Sequence, residues 1–207
     1  YRSASAVVDG IKTIEEGAVE LDSDRLARLY AFGYFALGLA HGSAALLYDQ
    51  AYIYDPTMEL DEVEMRPYPE VMEAAFGYLD RAIQEAQGKS FTLPSTWTSM
   101  ERSADDLVRL AHSYKARYRA AVARTPAERE AVDWQAVMAD IDHGITEDFE
   151  MSVTSGSGFS SGTLVNISRY GAWGMMSLQV LGMADQSGNY QDWISTPPDD
   201  RQPVLIH

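Results

Sequence analysis

An aromatic ring outside a packed helix can stack on the apolar face of a sugar, while amides and carboxylates beside it bond the hydroxyls. The segments read as loops carry three such rings: Trp97 between Phe91 and Glu101, and Tyr190 and Trp193 near the C-terminal end, with Asn189, Gln191 and Asp192 alongside. Trp173 lies in a glycine-interrupted helical segment. Trp97, Trp173, Tyr190, Asp192 and Trp193 therefore form the candidate ligand-binding set. The competing reading is that these rings cover the edges of a helical core, which is ordinary work for aromatics.

Catalytic and metal chemistry finds less support. His41, His112, His143 and His207 show no His-Glu pairing at i, i+4 and no zinc spacing, and the chain has no cysteine for thiolates or disulfides. The acidic loop with Glu59, Asp61, Glu62 and Glu64 lacks the spaced ligands of a calcium loop, so it reads as a solvated face. The Gly/Ser run 152–162 has no Gly-Lys-Ser/Thr ending for phosphate and no nucleophile elbow. We expect no catalytic residue, no metal and no cofactor. A formal charge of -15 would repel phosphate backbones, which argues against nucleic acid.

The elements that must position these residues are helical. Val7, Val8, Ile11, Ile14, Ala18 and Val19 predict an amphipathic helix from Ser3 to about Glu20. A second helix, Asp24 to Tyr48, contains the uncharged stretch LYAFGYFALGLAHGSAALLY, long enough to cross a bilayer by length. Its three glycines, its histidine and the lack of flanking aromatic or lysine belts favour a buried core helix instead. Ala27, Ala31, Gly38, Gly42 and Ala45 leave one side bare, so a neighbouring helix approaches there. Pro69 opens a third helix running to Gln87. Ser103 with Asp106, and Thr125 with Glu128, resemble capping boxes, and Asp133 caps a last core helix ending near His143. Asp49–Arg66 and Phe91–Glu101 read as loops, and Ser168–Met183 as one further helix. The division expected is a helical core over 1–150 and a C-terminal segment over 151–207.

Two helices share a signature. Tyr68-Pro69-Glu70-Val71-Met72 matches Trp134-Gln135-Ala136-Val137-Met138, and Leu79-Asp80-Arg81-Ala82-Ile83 matches Ile141-Asp142-His143-Gly144-Ile145. Each copy follows a long aromatic and alanine-rich helix. The predicted fold class is thus all-α, a tetratricopeptide-like helical repeat of stacked pairs with long irregular loops. By this match Trp134 reads as a packing anchor, like Tyr68.

The segments RLARLYAFGYFALGLAHG, YPEVMEAAFGYLDRAIQEA, LAHSYKARYRAAVA and DWQAVMADIDHGI resemble, in order, the SusD/RagB family of bacterial cell-surface nutrient-binding lipoproteins. The resemblance implies an outer-membrane protein held by a lipidated N-terminal cysteine. It also implies capture of oligosaccharides or other nutrients for a TonB-dependent transporter. The chain carries neither signal peptide nor lipobox cysteine and is shorter than family members, so it reads as a trimmed piece. The alternative is a helical-repeat scaffold that binds proteins or associates with itself.

Overall fold

The computed structural model describes residues 2–58, 63–150, 185 and 187–200. The chain divides into two compact units, Tyr1–Ser152 and Val153–His207. The described residues are mostly helical, as the periodicity predicts.

In the first unit, α1 (Arg2–Glu15) buries Ala4, Val8 and Ile11; of the predicted stripe Val8 and Ile11 are buried, Val7 and Ile14 half-buried, and Ala18 and Val19 exposed. It ends five residues early, because Gly17 adopts φ 72° and turns the chain. Helix α2 (Ser23–Leu47) begins where Asp22 accepts the Arg25 N–H at 2.9 Å. It is the one helix among the described residues that is long and apolar enough to cross a membrane, yet 50% of that window is buried inside the molecule. Its bare side takes two neighbours, at Gly38 and Gly42, and Gly33 on another face takes a third. A methyl at Gly33 would sit 3.3 Å from Val7 of α1; one at Gly38 would sit 2.6 Å from Leu79; and one at Gly42 would enter the Tyr118 ring.

Two short antiparallel ladders interrupt the helices. Strands β1 (Gln50–Tyr52) and β2 (Met65–Pro67) pair with Gln50 opposite Pro67, and β3 (Thr92–Leu93) pairs with β4 (Arg102–Ser103). A single helical turn, α4 (Ser95–Thr98), lies inside the second hairpin. Both segments read as plain loops in the sequence, and each needs correction. The alternation is too short to register locally, and the pairing exists because helices bring the ends together.

Helices α3 (Tyr68–Ala86), α5 (Ala104–Ala121), α6 (Pro126–Glu130) and α7 (Trp134–Asp142) complete the unit. The Ser103–Asp106 and Thr125–Glu128 boxes are both closed, and Asp133 accepts the Ala136 N–H at 3.0 Å. Chain direction alternates. Tyr34 meets Tyr78 at 6.4 Å while Asp49 O accepts the Tyr68 N–H at 2.8 Å, so α3 runs back along α2. Asp80 meets Lys115 at 2.6 Å and Phe76 lies under Arg119 at 4.5 Å, so α5 runs back along α3. His112 meets His143 at 5.2 Å and Arg119 meets Asp140 at 2.9 Å, so α7 reverses again.

Trp134 corrects its sequence reading. It opens α7 as Tyr68 opens α3, yet it is 56% exposed, because α7 turns Val137 and Asp140 towards α5 and leaves Trp134, Met138, Ile141 and Ile145 outside. In the second unit, α8 (Asn189–Ser195) is followed by a 3-10 turn, Pro198–Asp200. The segments 152–162 and Ser168–Met183 lie outside the described residues, as does most of the C-terminal tail.

Candidate functional site

The rings expected to bind ligand are placed as follows. Trp97 lies on α4, not in a loop; it is half-buried, 5.1 Å from Phe32, and carries the Arg28 guanidinium at 5.5 Å. Tyr190 and Trp193 are also helical, on α8, with ring centroids 6.1 Å apart. Tyr190 is 6% exposed, while Asp192 is exposed on the same helix. Both corrections have a local cause. Pro94 starts a turn before Trp97, and Asp185 accepts the Ser187 and Tyr190 N–H groups, which nucleates α8. Trp173 lies outside the described residues. Trp97 belongs to the first unit and Tyr190, Asp192 and Trp193 to the second.

The structure directs attention to a groove of about 330 Å³ where α3, α5 and α6 meet. Its floor is apolar: Met72 and Phe76 are 1% and 7% exposed, and Val122 adjoins them. Around it stand Tyr68, Glu73, Arg119 and Asp133. In the sequence Asp133 reads as an N-cap and Tyr68 as a packing anchor, and nothing there sets Glu73 or Arg119 apart. Only the shared aromatic start of the repeat, Tyr68 and Trp134, drew attention to any of them.

Two arginines shape the groove. Arg119 lies with its Cζ 4.5 Å over the Phe76 ring and donates from Nε to Asp140 at 2.9 Å. Arg124 covers the Tyr68 ring at 3.8 Å and donates to Ala45 O at 2.8 Å and Tyr48 O at 2.7 Å, the last carbonyls of α2. It also pairs with Asp49 at 2.5 Å. Arg124, just past the end of α5, thus caps a different helix, α2. The Arg124 and Thr125 amides donate to the Glu128 carboxylate at 2.6 and 3.3 Å. The Arg124 amide and the Tyr68 hydroxyl lower the Glu128 pKa, and the Glu128 carboxylate in turn raises that of Tyr68. Tyr68 is thereby fixed in orientation.

Beneath the groove lies a buried polar cluster. Asp140, 5% exposed, accepts from His112 Nδ1 at 2.8 Å and Arg119 Nε at 2.9 Å, and pairs with Lys115 at 3.2 Å. Burial opposes its ionisation, yet Arg119, His112 and Lys115 outweigh it and hold the carboxyl below its usual range. Lys115 is itself only 7% exposed and also meets Asp80. This cluster ties α3, α5 and α7 together, so its charges are structural.

What the groove offers is an apolar floor for the C–H face of a ring and a rim of acceptors and donors for hydroxyls. Glu73 is exposed and has no ion pair among the described residues. Among the described residues no cluster of three or more histidine or acidic groups could hold a metal ion. Compared with known proteins, the chain matches no family model, no curated protein and no solved structure.

Proposed function

We propose that this chain is a helical-repeat binding protein that captures an oligosaccharide or similar hydroxyl-rich nutrient in the groove between α3, α5 and α6. The observation that carries this reading is the groove itself: an aromatic and thioether floor ringed by Tyr68, Glu73, Arg119 and Asp133. The alternating directions of α2, α3, α5 and α7 support a tetratricopeptide-like arrangement of two stacked pairs, α2 with α3 and α5 with α7. In that arrangement the groove opens at the junction of one pair with the next. The SusD/RagB resemblance of these same four helices extends the proposal. It gives a bacterial cell-surface lipoprotein of the outer membrane, working with a TonB-dependent transporter and binding rather than transforming its ligand.

A glycan array probed with the chain tests the reading, followed by calorimetry on any hit. Binding of a defined oligosaccharide that Tyr68→Ala and Glu73→Gln each weaken by about tenfold or more is expected. Absence of any glycan signal, or binding indifferent to both changes, would remove the groove from consideration.

One observation favours a second reading. Trp134, Met138 and Ile141 of α7, with Ile145 just beyond its end, are exposed apolar side chains at 41% to 56% exposure. Such side chains suit a protein-interaction or self-associating scaffold. Sedimentation showing concentration-dependent dimers that Trp134→Ser abolishes, together with a silent glycan array, would favour the scaffold.

A further inference from the structure

A second cavity, of about 380 Å³, opens on the opposite side of α3, where Tyr34 of α2, Tyr78 and Arg81 of α3, Glu15 of α1 and Asp55 converge. Its character differs from that of the groove. It holds one cation and two carboxylates around two tyrosine rings, stacked 6.4 Å apart. Gly77 lies on its lining and a methyl added there would meet nothing within 4 Å, so this wall of the cavity is left open by the sequence.

The charges have unused bonding capacity. Arg81 lies over the Tyr34 ring at 4.9 Å and, among the described residues, gives one long hydrogen bond, to the Tyr34 hydroxyl at 3.4 Å. Among the described residues it has no ion-pair partner, although the chain carries 31 acidic residues against 16 basic ones. Asp55 spends Oδ1 on the Thr57 amide and hydroxyl at 2.8 and 2.6 Å, while among the described residues Oδ2 accepts the Tyr78 hydroxyl alone, at 3.2 Å. Asp55 is thereby held in place with one oxygen still able to accept. Glu15 is exposed and has no ion pair among the described residues.

A ligand that satisfies one guanidinium and two carboxylates needs one carboxylate and two cations, joined by a stem that the tyrosine faces can cover. We infer that this cavity binds a free basic α-amino acid. The ligand carboxylate meets Arg81, its two ammonium groups meet Asp55 and Glu15, and its methylene chain lies along Tyr34 and Tyr78. The acidic field of the whole chain adds to the attraction for a ligand of net positive charge. This site does not depend on the groove between α3, α5 and α6, and either can fail without the other.

Calorimetry of the full chain at low ionic strength, with three small probes, tests the assignment. L-Lysine should bind saturably. L-Norleucine, of equal length but lacking the ε-ammonium, and cadaverine, lacking the carboxylate, should each bind at least tenfold more weakly. Arg81→Met should bring lysine down to the level of cadaverine, and Glu15→Gln should bring it down to that of norleucine. Both positions are exposed, so these variants should keep the parent's circular dichroism and melting profile. Gly77→Leu, which fills the cavity, should abolish binding of all three. No saturable lysine binding, equal affinity for lysine and norleucine, or lysine affinity unchanged by Arg81→Met would each overturn the assignment.

Discussion

Replacing Gly42 with alanine is the sharpest test of how α2 is enclosed. The added methyl would stand inside the Tyr118 ring, 2.5 Å from Cζ and 2.6 Å from Cδ2. The ring cannot easily retreat. It is 2% exposed, lies 5.7 Å from Tyr114, and its hydroxyl donates to Leu39 O at 3.3 Å. Three terms set the magnitude. Alanine gains about 1 kcal/mol over glycine in helix propensity. Overpacking a filled core costs roughly 1–3 kcal/mol or more, and a displaced ring forfeits a hydrogen bond of about 0.5–1.5 kcal/mol. The clash wins, by about 1–3 kcal/mol. For a chain of this size each kcal/mol lowers Tm by about 2–4 °C. Gly10→Ala in α1, where a methyl meets nothing, keeps the propensity gain and should raise stability by about 0.5–1 kcal/mol. Urea unfolding followed by far-ultraviolet circular dichroism measures both. A Gly42→Ala protein as stable as the parent would refute the contact between α2 and α5.

Further outcomes follow from particular contacts. Arg124→Met removes the bonds to Ala45 and Tyr48 carbonyls and the cover on Tyr68, and should lower stability by about 1–3 kcal/mol, read as a shift in urea midpoint. Asp140→Leu takes the shared carboxylate from His112, Lys115 and Arg119, leaves the 7% exposed Lys115 with Asp80 alone among the described residues, and should cost about 3 kcal/mol in the same assay. His41 is 2% exposed; it donates from Nδ1 to Leu37 O at 2.7 Å and accepts the Tyr54 N–H at Nε2 at 2.9 Å, an arrangement only the neutral ring can make. Burial lowers its pKa. The unfolded chain therefore binds the proton more readily, so stability holds above about pH 6.5 and declines as pH falls below it. A urea midpoint that falls between pH 6.5 and 5 in the parent, and falls less in His41→Gln, is the expected result. The interval lies above the range where carboxylates with lowered pKa, such as Asp140, begin to protonate.

Much of the scaffold is decided by the sequence alone, because its determinants are local. An N-cap acts over three residues. Asp22, Ser103 with Asp106, Thr125 with Glu128, and Asp133 therefore announce their helices, and Gly88 at φ 70° closes α3 where expected. The small-residue side of α2 is equally legible, since 100° per residue puts Gly38 and Gly42 on one face whatever lies beyond it. The sequence does not reveal which partners fill that face, or that Tyr118 is one of them. The candidate sites lie wholly on this second level. Arg124 reaches carbonyls 76 and 79 residues away, and Arg81 and Glu15 line one cavity from different helices. Trp134 and Tyr68 occupy matching places in the repeat, yet the Tyr68 ring is covered by Arg124 while Trp134 is 56% exposed. A residue type and its helical phase fix which way a side chain points from its own axis. What it meets there is decided by the packing of distant helices, and so only the tertiary structure separates a core ring from a binding surface.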